Sequence, residues 1–177
     1  MKTANIPTRK SKSNSRVAEA PGPTLAGATP PSHNLETSLP YLLARAGIRS
    51  GQAFSAELKQ FGLTLNDWRV GASLRYTPHQ RLMSLARNTS VDSSTLSRLV
   101  DGLIQRGLVL RARSSEDARA VELCLTPEGE SLIDKVIPLA KMYERVALAG
   151  IDAEQAELLR TLLHRIYDNM AMLERRV

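Results

Sequence analysis

The spacing of apolar residues changes character along this chain, and each change predicts a different kind of element. From Leu39 to Arg106, apolar residues return every three or four positions, which is typical of helices that bury one face. Polar or turn-forming residues interrupt the pattern three times. The pattern therefore predicts four helices, over residues 39–61, 64–76, 81–88 and 92–106.

Alternation replaces the helical spacing after Gly107. Residues 108–113 and 120–125 predict two strands, and the polar segment between them predicts a hairpin loop. Two long helices follow, the first beginning at Thr126-Pro127. The second carries a wide apolar stripe, made of Leu158, Leu159, Leu162, Leu163, Ile166 and Met170. Burial against a partner subunit explains such a stripe, and packing within the monomer is the alternative.

The fourth predicted helix has two distinct faces. At 100° per residue, its apolar side chains fall within about 60° of one another; they are Leu96, Leu99, Val100 and Leu103. The opposite face carries Ser94, Ser97, Arg98, Asp101 and Gln105. One face can therefore be anchored in a domain while the other enters a DNA major groove. Ser93 and Ser94 lie at the N-terminus of this helix, and helix N-termini favour phosphate binding. Arg98 is long enough to reach a guanine edge or a phosphate.

The hairpin loop adds further cations next to that helix. Arg113 and Arg119 flank its tip, and an arginine on such a hairpin can lie along the adjacent minor groove. Asp117 is interpreted as a residue that structures the loop, since a carboxylate repels phosphate. Arg81, at the start of the third helix, completes the predicted DNA contacts, which are Arg81, Ser93, Ser94, Ser97, Arg98, Arg113 and Arg119.

Charge and composition change this picture only in part. The net charge of +6 is concentrated in residues 1–34 (+4) and 62–120 (+4), whereas residues 121–177 carry −3. Residues 1–34, rich in proline and poor in apolar side chains, predict a disordered basic tail. One cysteine and three scattered histidines give no metal-ligand pattern, and no cofactor motif occurs. No apolar stretch follows the N-terminal charges, so we expect a cytoplasmic protein.

Several motifs in order resemble the MarR family of bacterial transcriptional regulators. The likeness rests on VDSSTLSRLVDGL, GLVLR, DAR and LTPEG, at residues 91–103, 107–111, 117–119 and 125–129. The family has a mainly helical fold with a small β-hairpin: a winged helix-turn-helix domain with N- and C-terminal dimerisation helices. The resemblance thus implies a dimerisation helix at 35–61, a DNA-binding domain at 62–126 and further dimerisation helices at 127–177. Ala118 and Leu110 depart from the basic and acidic residues usual at their positions.

The resemblance also implies a mode of action. Family members are homodimers that bind a pseudo-palindromic operator at the bacterial nucleoid, usually repress transcription, and release DNA when a small ligand binds. An aromatic carboxylate or its thioester is the expected kind of ligand. Arg45 and Arg49, four residues apart on the first helix, are predicted to hold the carboxylate, with Trp68 lining the wall.

Four other functions stay open or are set aside. A ligand-independent architectural DNA binder and a winged protein-interaction module fit the same pattern of elements. An enzyme is not expected, because no Ser/His/Asp set, paired carboxylates or glycine-rich phosphate loop occurs. Redox sensing is not expected either, since Cys124 lies on the second strand, where a lone cysteine is usually a small packing residue.

Overall fold

A computed structural model describes residues 34–114 and 120–174 of the chain. Predictions that concern residues 1–33 or the tip of the hairpin, including Asp117 and Arg119, lie outside the described residues. Within them the chain forms six α-helices and one two-stranded antiparallel sheet. The predicted class, mainly helical with a small β-hairpin in a winged helix-turn-helix, is therefore confirmed.

The elements follow the order that the sequence predicts. The helices are α1 (Leu39–Leu58), α2 (Leu65–Tyr76), α3 (Leu82–Thr89), α4 (Ser93–Gln105), α5 (Pro127–Ala147) and α6 (Ala153–Glu174). The strands are β1 (Val109–Arg113) and β2 (Val121–Leu125). Short 3-10 turns precede and follow α1, at Leu35–Thr37 and Lys59–Phe61. No helix in the described ranges is long and apolar enough to cross a membrane.

Local side-chain caps explain where most helices begin. Thr64 and Asp67 form a reciprocal capping box at the start of α2. Asp92 accepts a hydrogen bond from the Thr95 N–H at the start of α4. At the start of α5, Thr126 caps the helix and Pro127 follows it. These caps satisfy N–H groups that have no partner inside a helix.

Two buried clusters hold the elements together. The first lies in the winged domain and includes Leu96, Val100 and Leu103 of α4, each at most 3% exposed. The second joins α1, α2 and α5. Leu108 and Leu125, at the base of the hairpin, pack against both clusters. Since burying one large apolar side chain stabilises a fold by about 1.5–3 kcal/mol, α4 is firmly anchored along its apolar face.

A further segment extends the hairpin sheet at one edge. β1 and β2 pair with Val109 opposite Leu125 and Arg113 opposite Val121. Gln80, in the turn between α2 and α3, forms an antiparallel bridge with Leu123 of β2. β2 therefore has a partner on each side, and the turn before α3 is tied to the wing.

The apolar stripe of α6 is exposed in the single chain. Leu158, Leu162 and Met170 are 57%, 42% and 56% exposed. Apolar residues near the start of the chain's helical part are exposed as well: Leu35, Leu39, Leu42 and Ile48. Contiguous exposed apolar faces of this kind usually mark surfaces that another protein covers.

Candidate DNA-binding surface and ligand cleft

The N-terminus of α4 is ordered by one carboxylate. Asp92 Oδ1 accepts hydrogen bonds from the Thr95 N–H at 2.9 Å and from Ser94 Oγ at 2.7 Å. The Thr95 and Ser94 hydrogen bonds lower the pKa of Asp92 to about 2. Ser93 and Ser94 are exposed beside this cap. The Ser94 hydroxyl is therefore held in place at the first turn, and the Ser93 side chain is exposed next to it.

Arg98 is the exposed cation in the middle of α4. Its side chain has no hydrogen bond or ion pair to any residue in the described ranges. Ser97, next to it, is half-buried. The opposite side of the helix is anchored by Leu96 and Val100, which are 0% and 1% exposed. The two faces predicted from the sequence thus exist, and Arg98 extends from the solvent side.

Asp101 shares the polar face of α4 but has a partner within the chain. Arg111 of β1 donates a hydrogen bond of 2.7 Å from Nη2 to Asp101 Oδ1. This ion pair ties the wing to α4 and neutralises a carboxylate that would otherwise repel phosphate. Sequence reasoning gave Arg111 no role, although its place in the GLVLR motif, ten residues after Asp101, was the available signal.

The other predicted DNA contacts lie on neighbouring elements. Arg113 ends β1 and is exposed, two residues after Arg111 and on the same face of the strand. Arg81 occupies the N-cap position of α3 and is exposed too. The structure therefore distributes the described residues of the predicted set over the starts of α3 and α4, the middle of α4 and the wing.

A separate cleft of about 510 Å³ lies between α1, α2, α5 and α6. Three aromatic side chains form one wall, with ring centres 5.6 Å apart for Phe54 and Trp68 and 5.4 Å apart for Phe54 and Tyr143. Burial, followed by the Glu57 carboxylate, raises the pKa of Tyr143 above its ordinary value. Aromatic walls of this kind suit a flat apolar ligand.

Two arginines line the cleft, and their surroundings differ. Arg160 donates hydrogen bonds to Glu144 at 3.0 Å and to Glu157 at 3.1 Å, and these carboxylates raise its pKa. Arg69, on α2, is exposed and has no ion pair or hydrogen bond to any described residue. Arg69 is consequently the cation in this cleft that no carboxylate of the described residues neutralises.

The predicted ligand residues are only partly brought together. Trp68 lines the cleft. Arg45 and Arg49 do not line it. Arg45 instead forms an exposed ion pair of 3.2 Å with Glu36, because the turn before α1 brings that carboxylate within reach. The helical spacing correctly placed both arginines on one helix but could not show which way that side of α1 faces.

Comparison with known proteins agrees with this geometry. Residues 63–121 match the family model described as MarR family. A MarR-family transcriptional regulator from Silicibacter pomeroyi DSS-3 is 30% identical, with 76% of this chain and 98% of that chain covered and a TM-score of 0.66. A second MarR-family regulator from Silicibacter pomeroyi is 28% identical, with coverages of 77% and 92% and a TM-score of 0.69.

A third solved structure shares the fold at lower identity. It is BpsR from Bordetella bronchiseptica, 24% identical over 77% of this chain and 97% of that chain, with a TM-score of 0.68. Together with the two-faced α4 and the adjoining hairpin, these similarities assign the chain: it belongs to the MarR family of transcriptional regulators.

Proposed function

We propose that this chain is a homodimeric repressor that binds a specific DNA operator and releases it when a small aromatic carboxylate, or its thioester, binds. The observation that carries the DNA-binding part is α4 itself. Its apolar face is buried, while Ser93 and Arg98 are exposed on the other side. A helix anchored in this way presents its polar side chains to a major groove in a fixed orientation.

The exposed apolar stripe of α6 supports the dimer. Leu158 and Met170 are 57% and 56% exposed in the single chain, which is unfavourable in water for a folded surface. A second copy with the same stripe would cover both, since a two-fold interface is self-complementary. Such a dimer would place its two α4 helices about one DNA turn, roughly 34 Å, apart.

The cleft supports the ligand. Its aromatic wall of Phe54, Trp68 and Tyr143 suits a ring, and Arg69 suits a carboxylate. We therefore propose Arg69, rather than Arg45 or Arg49, as the carboxylate-binding residue. The related BpsR has its DNA binding regulated by 6-hydroxynicotinic acid, which is an aromatic acid of this kind.

Selection of duplexes from a randomised pool tests the DNA-binding part. The wild-type protein should enrich a pseudo-palindromic sequence, and Arg98→Ala should weaken binding to it by about 1–3 kcal/mol if Arg98 contacts a base. Arg145→Ala, an exposed change on α5, is the matched control and should bind normally. An equal loss on all sequences would reduce Arg98 to a phosphate contact. Steep salt dependence without enrichment would favour an architectural binder, and no binding would favour an interaction module.

Thermal shift measurements test the ligand part. 6-Hydroxynicotinic acid and a panel of aromatic acids and thioesters are the probes. An acid that raises the melting temperature of the wild-type protein should no longer do so with Arg69→Gln, whereas Arg45→Gln should respond normally. The opposite pattern would restore Arg45 as the carboxylate-binding residue and remove Arg69.

A further inference from the structure

Gln80 is a buried polar residue at a junction of three elements. Only 4% of it is exposed, and it lies in the turn between α2 and α3. Its backbone exchanges two hydrogen bonds with Leu123 of β2, at 3.1 Å and 2.8 Å. The segment before α3 is thus joined to the edge of the wing by a single antiparallel bridge.

The Gln80 side chain connects this segment to both flanking helices. Nε2 donates to the Ser73 carbonyl oxygen at 2.9 Å, to Ser73 Oγ at 3.1 Å and to the Thr77 carbonyl oxygen at 2.7 Å, all at the end of α2. Oε1 accepts a hydrogen bond of 2.7 Å from Asn88 Nδ2 of α3. Only a carboxamide can donate to the two carbonyls and accept from the amide at once, so the residue type is specified by its surroundings.

The residue before it shows that the turn is held in place. His79 has a φ of 59°, in the left-handed region of the backbone that residues other than glycine rarely adopt. Its Nδ1 lies 3.7 Å from Glu122 Oε2 on β2. A turn with such a backbone persists only when its surroundings fix it.

The wing is therefore held from two directions. On one side, the Arg111–Asp101 ion pair connects β1 to α4. On the other, Gln80 connects β2 to α2 and α3. These contacts set the distance between the hairpin and the exposed face of α4, and a DNA duplex would have to meet both together.

We propose that Gln80 is a positioning residue for DNA binding, which holds the wing and the α3–α4 pair in one fixed arrangement through its buried carboxamide. The inference rests on the DNA-binding function proposed above. Gln80 is buried and does not itself contact DNA. It acts by reducing the conformational freedom that the wing would otherwise lose on binding.

Amide hydrogen exchange without DNA tests whether the Gln80 side chain holds the wing and α3 in place. In Gln80→Leu, which keeps the size and burial but loses the side-chain hydrogen bonds, exchange at the Leu123 N–H and at the start of α3 should accelerate roughly ten-fold or more. Amides of α5 should not change. Gln60→Leu, the same substitution at an exposed site in the turn after α1, is the control. An unchanged rate at Leu123, or equal acceleration throughout the protein, would overturn the inference.

Affinity for a duplex selected by the wild-type protein tests the functional half. Per active dimer, counted by stoichiometric titration, Gln80→Leu should bind roughly ten-fold more weakly and Gln60→Leu normally. Asn88→Ala removes only the hydrogen bond between α3 and the Gln80 side chain. Because Asn88 is exposed, this variant should fold, and its affinity for the duplex should fall a few-fold. Normal affinity in the folded fraction of both variants would make Gln80 merely structural. If the wild-type protein selects no duplex, the proposed function fails instead, and the exchange result still reports on the wing.

Discussion

Gly129, at the start of α5, lies against the backbone of the residue that precedes β1. A Cβ at this position would overlap the carbonyl oxygen of Leu108. That carbonyl already accepts a hydrogen bond of 3.1 Å from the Thr126 N–H, so it has little freedom to move away. The close approach of α5 to the base of the wing therefore requires a residue without a side chain.

Alanine substitutions at two glycines distinguish this steric requirement from the general gain in helix stability when alanine replaces glycine. Gly129→Ala should lower the free energy of unfolding by about 3 kcal/mol, because backbone has to shift in a packed region. Gly102→Ala in α4, where a Cβ would meet nothing within 4 Å, should instead raise it by about 0.5–1 kcal/mol. Urea unfolding measures both. Similar effects of the two substitutions would contradict the close approach.

The arginines of the winged domain show what single-residue reasoning can and cannot predict. The exposure of Arg98 followed from its angle on a helix whose apolar face was evident. The roles of Arg106 and Arg111 did not follow, because their partners Asp67 and Asp101 are brought to them by the fold. The ion pair of Arg45 did not follow either, since its partner Glu36 lies across a turn. Identical side chains differ here only in what the tertiary structure places beside them.

At the scale of elements, helix starts were predictable because caps are local. Thr64, Asp92 and Thr126 each accept a hydrogen bond from an N–H three residues later, and the sequence alone displays that spacing. The cleft was not predictable in the same way. Its lining comes from four helices, and no local pattern states how far apart they pack.

The cap of α4 predicts a pH dependence of that element. The pKa of Asp92 is about 2, against an ordinary value of 3.8, so its contribution is complete above about pH 4 and is lost as the pH falls through 2. Asp92→Asn keeps an acceptor that does not titrate. The stability of the wild-type protein relative to this variant should therefore fall between pH 4 and pH 2.

Urea unfolding over this range, with the carboxyl resonance of Asp92 followed by NMR, measures both quantities. A carboxyl that titrates near 3.8, with a pH-independent difference in stability, would contradict the cap geometry.

At the scale of the whole molecule, the winged domain and the long helices share a seam. Arg75 on α2 makes two hydrogen bonds with Asp134 on α5, at 2.9 Å and 3.1 Å, and this carboxylate raises the pKa of Arg75. Ile133 of α5 packs directly against Gly71 of α2. A ligand in the cleft would contact α2 at Trp68 and Arg69. The same helix carries Ser73, one of the contacts of Gln80.

The dimer prediction belongs to this scale as well. Leu162→Asp should raise the dimer dissociation constant roughly a thousand-fold, because two copies each lose about 2 kcal/mol at a two-fold interface. His164→Asp, about 200° around α6 from Leu162, is the control and should leave the dissociation constant unchanged. Sedimentation over a concentration series distinguishes them. A stable dimer in Leu162→Asp would move the interface away from the α6 stripe.

Leu108 and Leu125 pack against both buried clusters, and this limits how modular the protein can be. A fragment cut at residue 126 would leave both leucines, with the base of the wing, uncovered on one side. The winged domain therefore cannot be joined to an arbitrary ligand-binding domain. A chimera should retain its DNA preference only if the recipient supplies apolar residues equivalent to Leu132 and Ile133, which lie beside Leu108 and Leu125. Exchange between relatives is then expected to preserve the start of α5 together with the wing.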